Sequence, residues 1–452
     1  MVSLRTCCAI VAVATTAVVA KQFTAGVTEI DVIPLVPYEP YALPRMRWSD
    51  LNRALGMEAS GKMLKTNPVD TVLGKIGVPK EDQAAFEKLS TLEVQSLFGD
   101  SEFEKERDIV VAFDMLAEGD VVGGIEMLTT IQSYIDRTRG KDHPLYANAL
   151  ADLGYAYMLQ REFKASHEAL LGAMKVDEGN QELFGVYNLA ASINLMATSA
   201  LRSGGGQFEA LSAAYETAFD ALHKIEHPAQ FHIVMNLANM YRTHWLPLRA
   251  LQMFKLAKQM KEHANFAGDV SLGLGLCYLM LGEPKQAQDI LHTALDSYQQ
   301  HRMEESLTAL EATYQLATAE IKLGHHGRAL RKLQTLRKAE YVEKNPVAQA
   351  LVMASLGQCL LEMGYVGQSV GMLEAALARL RAADPVPPTN ELAPFLPFVH
   401  IKLLHYVAKA WDAVDGNATA AAAHHSVAYE RSRLVFGEDH AVTLAHQPKS
   451  VG

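Results

Sequence analysis

His223, Glu226 and His227 form the sequence HKIEH, the pattern in this chain that comes nearest to an enzyme signature. Histidines at positions i and i+4 share one face of a helix, so their rings can ligate the same zinc ion. A glutamate between them can polarise a zinc-bound water for attack on a carbonyl. These residue types at this spacing make a zinc hydrolase one hypothesis for the function.

The surroundings of HKIEH argue against that hypothesis. The pattern matches the HxxEH signature of inverted zinc peptidases, but Pro228 follows at once, where the chain must turn, and no downstream carboxylate stands out as a ligand. With 17 histidines in the chain, accidental pairs are expected. We interpret the doublets His325-His326 and His424-His425 as surface residues of the repeats described below.

Other signatures of catalysis are missing from the sequence. It has no GxxxxGK[ST] phosphate loop, no GxSxG elbow and no GxGxxG after a strand. Its four cysteines, Cys7, Cys8, Cys277 and Cys359, are too scattered for a disulfide framework or a CxxC zinc site. We expect Cys277 and Cys359 to lie in the core or groove wall of the repeats. The sequence therefore predicts no catalytic residue, no cofactor and no metal.

Composition points to an ordered protein. The 452 residues are 49% hydrophobic and 20% charged, and this length suits either several domains or an elongated repeat architecture. The 41 Lys and Arg against 51 Asp and Glu give a net charge of −10, with no basic run. A nucleic-acid binder normally has the opposite balance, so we predict no nucleic-acid partner.

From Glu106 onward the chain repeats itself. Apolar residues recur every three or four positions, as in amphipathic helices, and turns between helices follow one another at intervals of 37 to 45 residues. The turns lie at Gly119, Arg161, Gly206, Trp245, Gly282, Gly324 and Gly364. Five residues later a small residue is usual (Gly124, Ser166, Ala250, Ala287, Ala329, Ser369), nine later a large apolar one (Leu128, Leu170, Tyr215, Phe254, Leu291, Leu333, Leu373), and twelve later often alanine (Ala173, Ala218, Ala257, Ala294, Ala376).

This spacing has a physical cause. Two antiparallel helices approach closely where small side chains meet, and a bulky residue one turn away fills the remaining gap. A single helix pair leaves one face uncovered, and stacking further pairs buries that face. The pattern therefore predicts an all-α solenoid of antiparallel helix pairs.

The segment 149–176, ALADLGYAYMLQREFKASHEALLGAMKV, resembles a tetratricopeptide repeat (TPR). Segments from Asn236 and Leu274 are similar, and GKDHP at Gly140 and GEDHA at Gly437 resemble the longer repeats of kinesin light chains. The likeness spans residues 106–445 in seven or eight units, and the third unit departs most. It implies a right-handed α-solenoid that acts as a non-catalytic protein-interaction scaffold. The consensus positions are Leu153, Gly154, Tyr157, Phe163, Leu170 and Ala173.

The resemblance also implies a partner-binding groove lined by the first helix of each unit. Amide side chains there can pair with a partner's backbone, while leucine and methionine bury its side chains. The alternative is that several of these residues complete the core. No Lys and Arg cluster of the carboxylate-clamp type is evident. The expected groove residues are Asn148, Tyr155, Met158, His232, Asn236, Asn239, Arg242, Leu276, Leu279, Met280, Tyr314 and Leu361.

The N-terminus has an uncharged run, residues 6–20, between Arg5 and Lys21. It is short for a spanning helix, and it suits either a membrane anchor or a signal peptide with Val18 and Ala20 before the cleavage site. A buried or mobile tail is a third interpretation. We favour the anchor, whose apolar residues are Ala9, Ile10, Val11, Val13, Val18 and Val19.

Prolines 34, 37, 40 and 44 follow at intervals of three or four residues and predict an extended arm. The arm is either a spacer between membrane and body or a strap laid along a neighbouring subunit. The predicted regions are an apolar segment (1–21), the arm (22–45), a small helical cap (46–105), TPR-like repeats (106–383), a Pro-rich break (384–397), a last helix pair (398–445) and a tail (446–452).

Three functions remain open at the level of sequence. The first is an accessory or assembly subunit of a membrane-associated complex, expected at the mitochondrial inner membrane, with protein partners bound through the groove and the arm. The second is a free peptide-binding adaptor of the kinesin-light-chain type, and the third is the zinc hydrolase. A secretory location after signal cleavage is the alternative, and the Asn417-Ala-Thr419 sequon suits it.

Overall fold

The structure is a computed structural model that describes most of residues 32–45 and 100–447. Within these ranges it leaves out residues 37, 39, 44, 180–185, 203–207, 225–226, 228, 245, 261–263, 265, 384–391, 393–394, 415–417, 437, 439–442 and 445. The predicted apolar segment 1–21 and residues 46–99 of the predicted cap lie outside the described residues. All regular structure in the described part is helical, which confirms the predicted all-α class.

The chain divides into two compact units, and the first contains Pro40–Leu237. Helices α1 to α6 of this unit each pack against their neighbours in sequence, so they form antiparallel pairs. Its helices are α1 (Asp100–Glu118), α2 (Val121–Arg139), α3 (Pro144–Leu159), α4 (Phe163–Gly179), α5 (Val186–Arg202), α6 (Phe208–Lys224) and the beginning of α7 (Gln230–Thr243).

The second unit contains the described residues up to Tyr38 and those from Ala238 onward. It has the same tandem arrangement, with one extra short helix, α13, between two pairs. Its helices after α7 are α8 (Pro247–Gln259), α9 (Ala267–Met280), α10 (Pro284–Gln300), α11 (Leu307–Lys322), α12 (His326–Leu336), α13 (Glu340–Lys344), α14 (Pro346–Glu362), α15 (Val366–Ala382), α16 (Leu396–Asp412) and α17 (Ala418–Phe436).

The predicted turns between paired helices have left-handed backbone where they are described. Four of the turn glycines, Gly119, Gly282, Gly324 and Gly364, have φ between +74° and +94°. Glycine adopts this region without steric cost, which explains its recurrence after the first helix of a pair. Arg161 takes the equivalent place with φ of +66°, so the same turn forms there without glycine.

Paired helices touch at a glycine of the first helix and the large residue predicted nine positions after the turn. A methyl group added at any of three such glycines would lie 2.4 to 2.6 Å from a leucine Cγ atom of the second helix. Real side chains do not approach so closely, so these positions admit hydrogen alone unless the leucine moves. The pairs are Gly154 with Leu170, Gly275 with Leu291, and Gly357 with Leu373.

The small residue predicted five positions after the turn adds a polar contact in two of these pairs. The Ser166 hydroxyl donates to the Gly154 carbonyl over 2.7 Å, and the Ser369 hydroxyl donates to the Gly357 carbonyl over the same distance. All four residues are buried. A serine therefore satisfies a carbonyl and still lets the two helices meet closely.

Candidate functional site: the first-helix faces and the N-terminal arm

Parts of the predicted Pro-rich arm are docked on the body of their own chain. Residues 32–36 lie against the second unit, and Tyr41 and Arg45 lie against the first. In both places the partners lie mainly on the first helices of the pairs, which we call the first-helix faces. Neither sequence-based interpretation of the arm, a spacer or a strap on a neighbouring subunit, included this docking.

The arginine of the arm is held by four residues of the first unit. Nη1 of Arg45 lies 2.5 Å from Oδ2 of Asp177, and Nη2 donates to Oδ1 of the same carboxylate over 2.7 Å. Nε donates to the side-chain oxygen of Asn148 over 2.8 Å. Nη1 also contacts the hydroxyl of Ser192 and donates to the Asn188 carbonyl over 3.2 Å. The planar guanidinium thus meets a matched set of acceptors on helices α3, α4 and α5.

The backbone of the arm is recognised four residues earlier, at Tyr41. Its N–H donates to the side-chain oxygen of Asn236 over 2.7 Å, and its carbonyl accepts from the amide nitrogens of Asn236 at 2.9 Å and Asn194 at 3.0 Å. The Tyr41 ring stacks on His232, with centroids 5.2 Å apart and an angle of 3° between the planes. An asparagine that pairs with both N–H and C=O of one residue holds the arm extended.

On the second unit, one carboxylate and one amide hold the arm backbone. Oε2 of Glu311 accepts from the N–H groups of Leu35 and Val36 at 2.7 and 2.8 Å. The side-chain amide of Gln315 donates to the Ile33 carbonyl over 3.0 Å and to Oε1 of Glu311 over 2.8 Å. Glu311 and Gln315 are one helical turn apart on α11, so a single helix face makes all three hydrogen bonds to the arm.

Aliphatic side chains of the arm complete this docking. Ile33 and Leu35 are 1% and 0% exposed and belong to one core cluster with Tyr314 and Leu351. Val32 is buried in a second cluster, together with Leu276 and other residues of α9, α10 and α11. Burying such side chains stabilises by about 1.5 to 3 kcal/mol each relative to full exposure. The arm residues 32–35 are therefore part of the core of the second unit.

The acidic group beneath the arm is in an unfavourable place for a charge. Burial raises the pKa of Glu311, and hydrogen bonds from Gln315, Val36 and Leu35 together with the attraction of Arg242 oppose that rise. Burial likewise lowers the pKa of Arg242, against the attraction of Glu311. A buried carboxylate requires donors. The arm supplies two of them.

The twelve residues predicted for the groove fall into two groups in the structure. Asn148, His232 and Asn236 contact the arm, and Asn239 accepts a hydrogen bond from Arg242 over 3.2 Å. The others are buried or half-buried among the helices. These are Tyr155, which packs near Phe113 of α1, Met158, Leu276, Leu279, Met280, Tyr314 and Leu361. Four of them, Leu276, Leu279, Met280 and Tyr314, belong to the core clusters that also contain arm residues.

Several residues of the arm site were not predicted from the sequence. Asp177, Asn188, Ser192, Asn194, Glu311 and Gln315 all hold the arm. One signal was available for part of this set: Glu311 and Gln315 are polar at i and i+4, on one face of a predicted helix. Asp177 gave no such signal, because it lies near the end of a second helix among other charged residues.

The HKIEH residues are engaged in packing and helix capping where they are described. His223 lies near the end of α6, stacks on Phe219 and pairs through Nδ1 with the Gln230 side chain at 3.1 Å. Nδ1 of His227 accepts from the N–H of Ala229 at the start of α7. Glu226 lies outside the described residues. Among the described residues no group of three His, Cys, Asp or Glu side chains is placed to hold a metal ion.

Cys277 and Cys359 are both fully buried in the helix pairs. Burial raises the thiol pKa of each to about 12. A thiolate is the reactive form of cysteine, so neither is poised as a nucleophile or a metal ligand at neutral pH.

Two further polar clusters lie in the second unit. Three histidines form a chain, in which His446 pairs with His405 through Nε2 and with His425 through Nδ1, both at 2.8 Å, and His425 pairs with Asp412 at 2.8 Å. His425 is half-buried. The prediction that the doublet His424-His425 lies at the surface therefore holds only in part for this residue. Burial lowers the pKa of His446 to about 4.

The second cluster surrounds a buried lysine. Lys402 is 1% exposed, and its Nζ lies 3.2 Å from the hydroxyl of Ser355 and 3.3 Å from that of Tyr314. A serine beside a lysine can serve nucleophilic catalysis. Here Ser355 and Tyr314 are 0% exposed, so no substrate reaches them, and the hydroxyl groups serve to solvate the ammonium group.

No helix in the described part of the chain combines the length and apolar character that a bilayer crossing requires.

Comparisons with known proteins identify the fold. No protein-family model and no curated protein sequence matches this chain. The apo form of the quorum sensor NprR from B. thuringiensis is similar in structure, with a TM-score of 0.52 and 14% identity over 80% of this chain and 97% of that protein. A tetratricopeptide repeat protein from Parabacteroides merdae matches 65% of this chain and 98% of its own, with 16% identity and a TM-score of 0.44.

Kinesin light chain TPR-like repeats from Podosopora anserina match 52% of this chain and 93% of their own, with 15% identity and a TM-score of 0.28. At such identities the similarity concerns the fold alone. The repeating Gly–Leu contacts, the left-handed turns and the structural similarity to NprR together show that the chain has a tetratricopeptide-like fold of tandem helix pairs.

Proposed function

We propose that the protein is a non-catalytic scaffold that serves as an accessory or assembly subunit of a membrane-associated complex, at the mitochondrial inner membrane. The docked arm is the observation that carries this proposal. The arm is fixed to the body from Val32 onward by buried side chains and backbone hydrogen bonds. Whatever holds the residues before Val32 therefore also holds the body.

The length of chain before the docked arm limits how far the helix pairs can lie from a membrane that holds residues 6–20. Residues 21–31 separate the apolar run 6–20 from Val32. Even fully extended, this stretch spans at most about 40 Å. If residues 6–20 insert in a bilayer, the helix pairs are kept close to its surface, where they meet other membrane-bound subunits.

Protein partners fit the character of the fold and of the described faces. Amide side chains of first helices in the first unit, and one carboxylate and one amide in the second, hydrogen-bond to the backbone of the arm, which is the type of contact that a peptide or protein partner offers. Within HKIEH, His223 and His227 make packing and helix-capping contacts. These contacts do not support a role in hydrolysis. We therefore do not extend the proposal to an enzyme.

Membrane attachment is tested by fractionation of cells that express the full chain. We expect the protein to stay with membranes in alkaline carbonate and, after mild detergent, to migrate in native gels as part of a larger assembly that co-fractionates with mitochondrial inner-membrane markers. Val11→Asp/Val13→Asp should release it, because a charge in a bilayer core costs about 3 kcal/mol or more. The matched control, Thr24→Asp/Thr28→Asp, adds the same charge outside the apolar run and should remain bound.

A free peptide-binding adaptor is the second candidate, and the capture of an extended segment by the first-helix faces favours it. A carbonate-soluble protein that migrates as a monomer would overturn the membrane-subunit proposal and support the adaptor. Mass spectrometry of proteins retained with the intact chain then identifies its partners under either outcome.

A further inference from the structure

The pocket around Arg45 has the properties of a ligand site rather than of an incidental ion pair. The Asp177 side chain is 3% exposed and that of Arg45 is 7% exposed. Three guanidinium nitrogens of Arg45 find four partners, Asp177, Asn148, Ser192 and the Asn188 carbonyl. Ser192 also donates to Asp177 over 3.2 Å, which orients the carboxylate. These partners come from three different helices.

The chemistry of the pocket selects among cations. A guanidinium group is planar and offers a fork of donors that meets both carboxylate oxygens at once, whereas an ammonium group is a compact point charge. An apolar occupant would leave Asp177 buried without a counter-charge, which is strongly unfavourable. Any chain that replaces the arm here must therefore bring an arginine.

The neighbouring contacts define the rest of the ligand. Asn236 and Asn194 hydrogen-bond to the backbone of Tyr41. They therefore require an extended chain but no particular side chain. His232 adds a flat surface that suits an aromatic ring. Leu43, between these points, is buried. A ligand with tyrosine and arginine four residues apart spans at most about 13 Å between them when extended.

We propose that this face of the first unit is a binding site for extended segments of the type Tyr-x-Leu-x-Arg in partner proteins, and that Tyr41–Arg45 occupies it as a ligand in cis. The inference rests on the proposed role as a partner-binding scaffold but not on attachment to a membrane. Because the arm is covalently linked, its effective concentration at the site is high. A partner therefore gains access only when the arm is weakened or drawn away.

The test is a binding titration in trans. The probe is a fluorescein-labelled peptide of residues 39–46, EPYALPRM, which contains a single arginine. The receptor is the full chain with Tyr41→Ala/Arg45→Ala, which leaves the site accessible, and wild type is compared with it. We expect saturable binding to the double variant and at least tenfold weaker binding to wild type, because the arm competes.

Selectivity for guanidinium is tested with a second peptide in which lysine replaces the arginine. It should bind the double variant at least tenfold more weakly than the arginine peptide. Adding Asp177→Asn to the receptor should remove this preference, so that both peptides bind equally weakly. A merely structural role of Asp177 would change the stability of the receptor but not the ratio of the two affinities.

Three results would overturn the inference: equal binding to wild type and double variant, equal binding of the two peptides, or absence of binding to a double variant that keeps its helical circular dichroism and cooperative melting. If the double variant does not fold, Arg45→Lys takes its place as receptor and the same outcomes decide. Failure of these titrations leaves the fractionation result for the full chain unchanged, so the two proposals are tested separately.

Discussion

Glu311 accepts a hydrogen bond from the backbone N–H of Leu35, 276 residues earlier in the chain, at 2.7 Å. This contact, with its neighbour at Val36, fixes the arm on the second unit. Replacing Glu311 by Ala should free both N–H groups and speed their hydrogen exchange by about tenfold to a hundredfold, since a hydrogen bond to a charged group contributes about 1.5 to 3 kcal/mol. Exchange mass spectrometry of peptides that cover residues 32–36 measures the effect.

The matched control is Glu304→Ala, which removes an exposed carboxylate near the start of α11. It should leave exchange of the arm unchanged. Equal protection of Leu35 and Val36 in wild type and Glu311→Ala would show that the carboxylate does not hold the arm.

Asp177 is the buried half of the ion pair with Arg45. Asp177→Ala should lower the free energy of unfolding by about 3 to 5 kcal/mol, because it leaves a guanidinium in a pocket without its counter-charge. Chemical denaturation followed by circular dichroism measures the loss. Asp289→Ala breaks the exposed pair with Lys285, whose side chains are 62% and 68% exposed, and should cost at most about 1 kcal/mol. Similar losses in the two variants would contradict the structure of the pocket.

Gly357 tests the close approach of paired helices. A methyl group there would lie 2.4 Å from Cγ of Leu373, so Gly357→Ala should destabilise the protein by about 1 to 3 kcal/mol. Gly367→Ala, on the partner helix α15, is the control, because a methyl group there meets nothing within 4 Å. This variant should be neutral or more stable by up to about 1 kcal/mol, since alanine favours a helix. Thermal melting compares both; the opposite order would mean that the helices pack differently.

We expect the stability of the protein to depend on pH because of His446. Burial lowers its folded-state pKa to about 4, with smaller influences from His425, Lys409 and Asp412, and His405 also faces it. The unfolded chain therefore binds a proton below about pH 6.5, whereas the folded chain binds it only near pH 4. Stability falls as pH decreases through this window and is fully present above it. His446→Gln should melt with a smaller change between pH 7 and pH 5 than wild type; an identical change would exclude this origin.

Removing the charge of Lys402 should not lower the stability of the protein. Its ammonium group is buried against Ser355 and Tyr314, which hydrogen-bond to each other at 3.0 Å. Lys402→Met keeps the volume and leaves neither hydroxyl without a partner, so stability should be unchanged or higher by about 1 to 4 kcal/mol. A loss of several kcal/mol on denaturation would show that the lysine satisfies a group that hydroxyls alone do not.

The helix pairs were predictable from the sequence because their causes are local and repeat. Small residues five positions after a turn and large ones nine positions after it met as expected, for example Ser369 and Leu373 beside Gly357. The structure of apo NprR has the same type of fold. The third unit, with its expected departures, includes a turn at Gly206 that lies outside the described residues.

The arm site was predictable only in part. Asn148 and Asn236 are amides at positions expected to face a partner, and the structure places the chain's own arm beside them. Contacts between residues 103 to 282 positions apart leave no period in the sequence. Nothing in the residue types of the arm indicated that Arg45 meets Asp177 rather than solvent, because a lone arginine is ordinarily exposed.

The docking of the arm also fixes an order of events during biosynthesis. Helix pairs need only neighbouring residues and can form as they leave the ribosome, whereas Leu35 must wait for Glu311. The arm is thus the first part of the chain to be made and among the last to find its place. In the interval the nascent second unit carries an acidic group that lacks two of its hydrogen-bond donors and an open apolar surface, which makes this stage the one at which a chaperone or an early partner has most to bind.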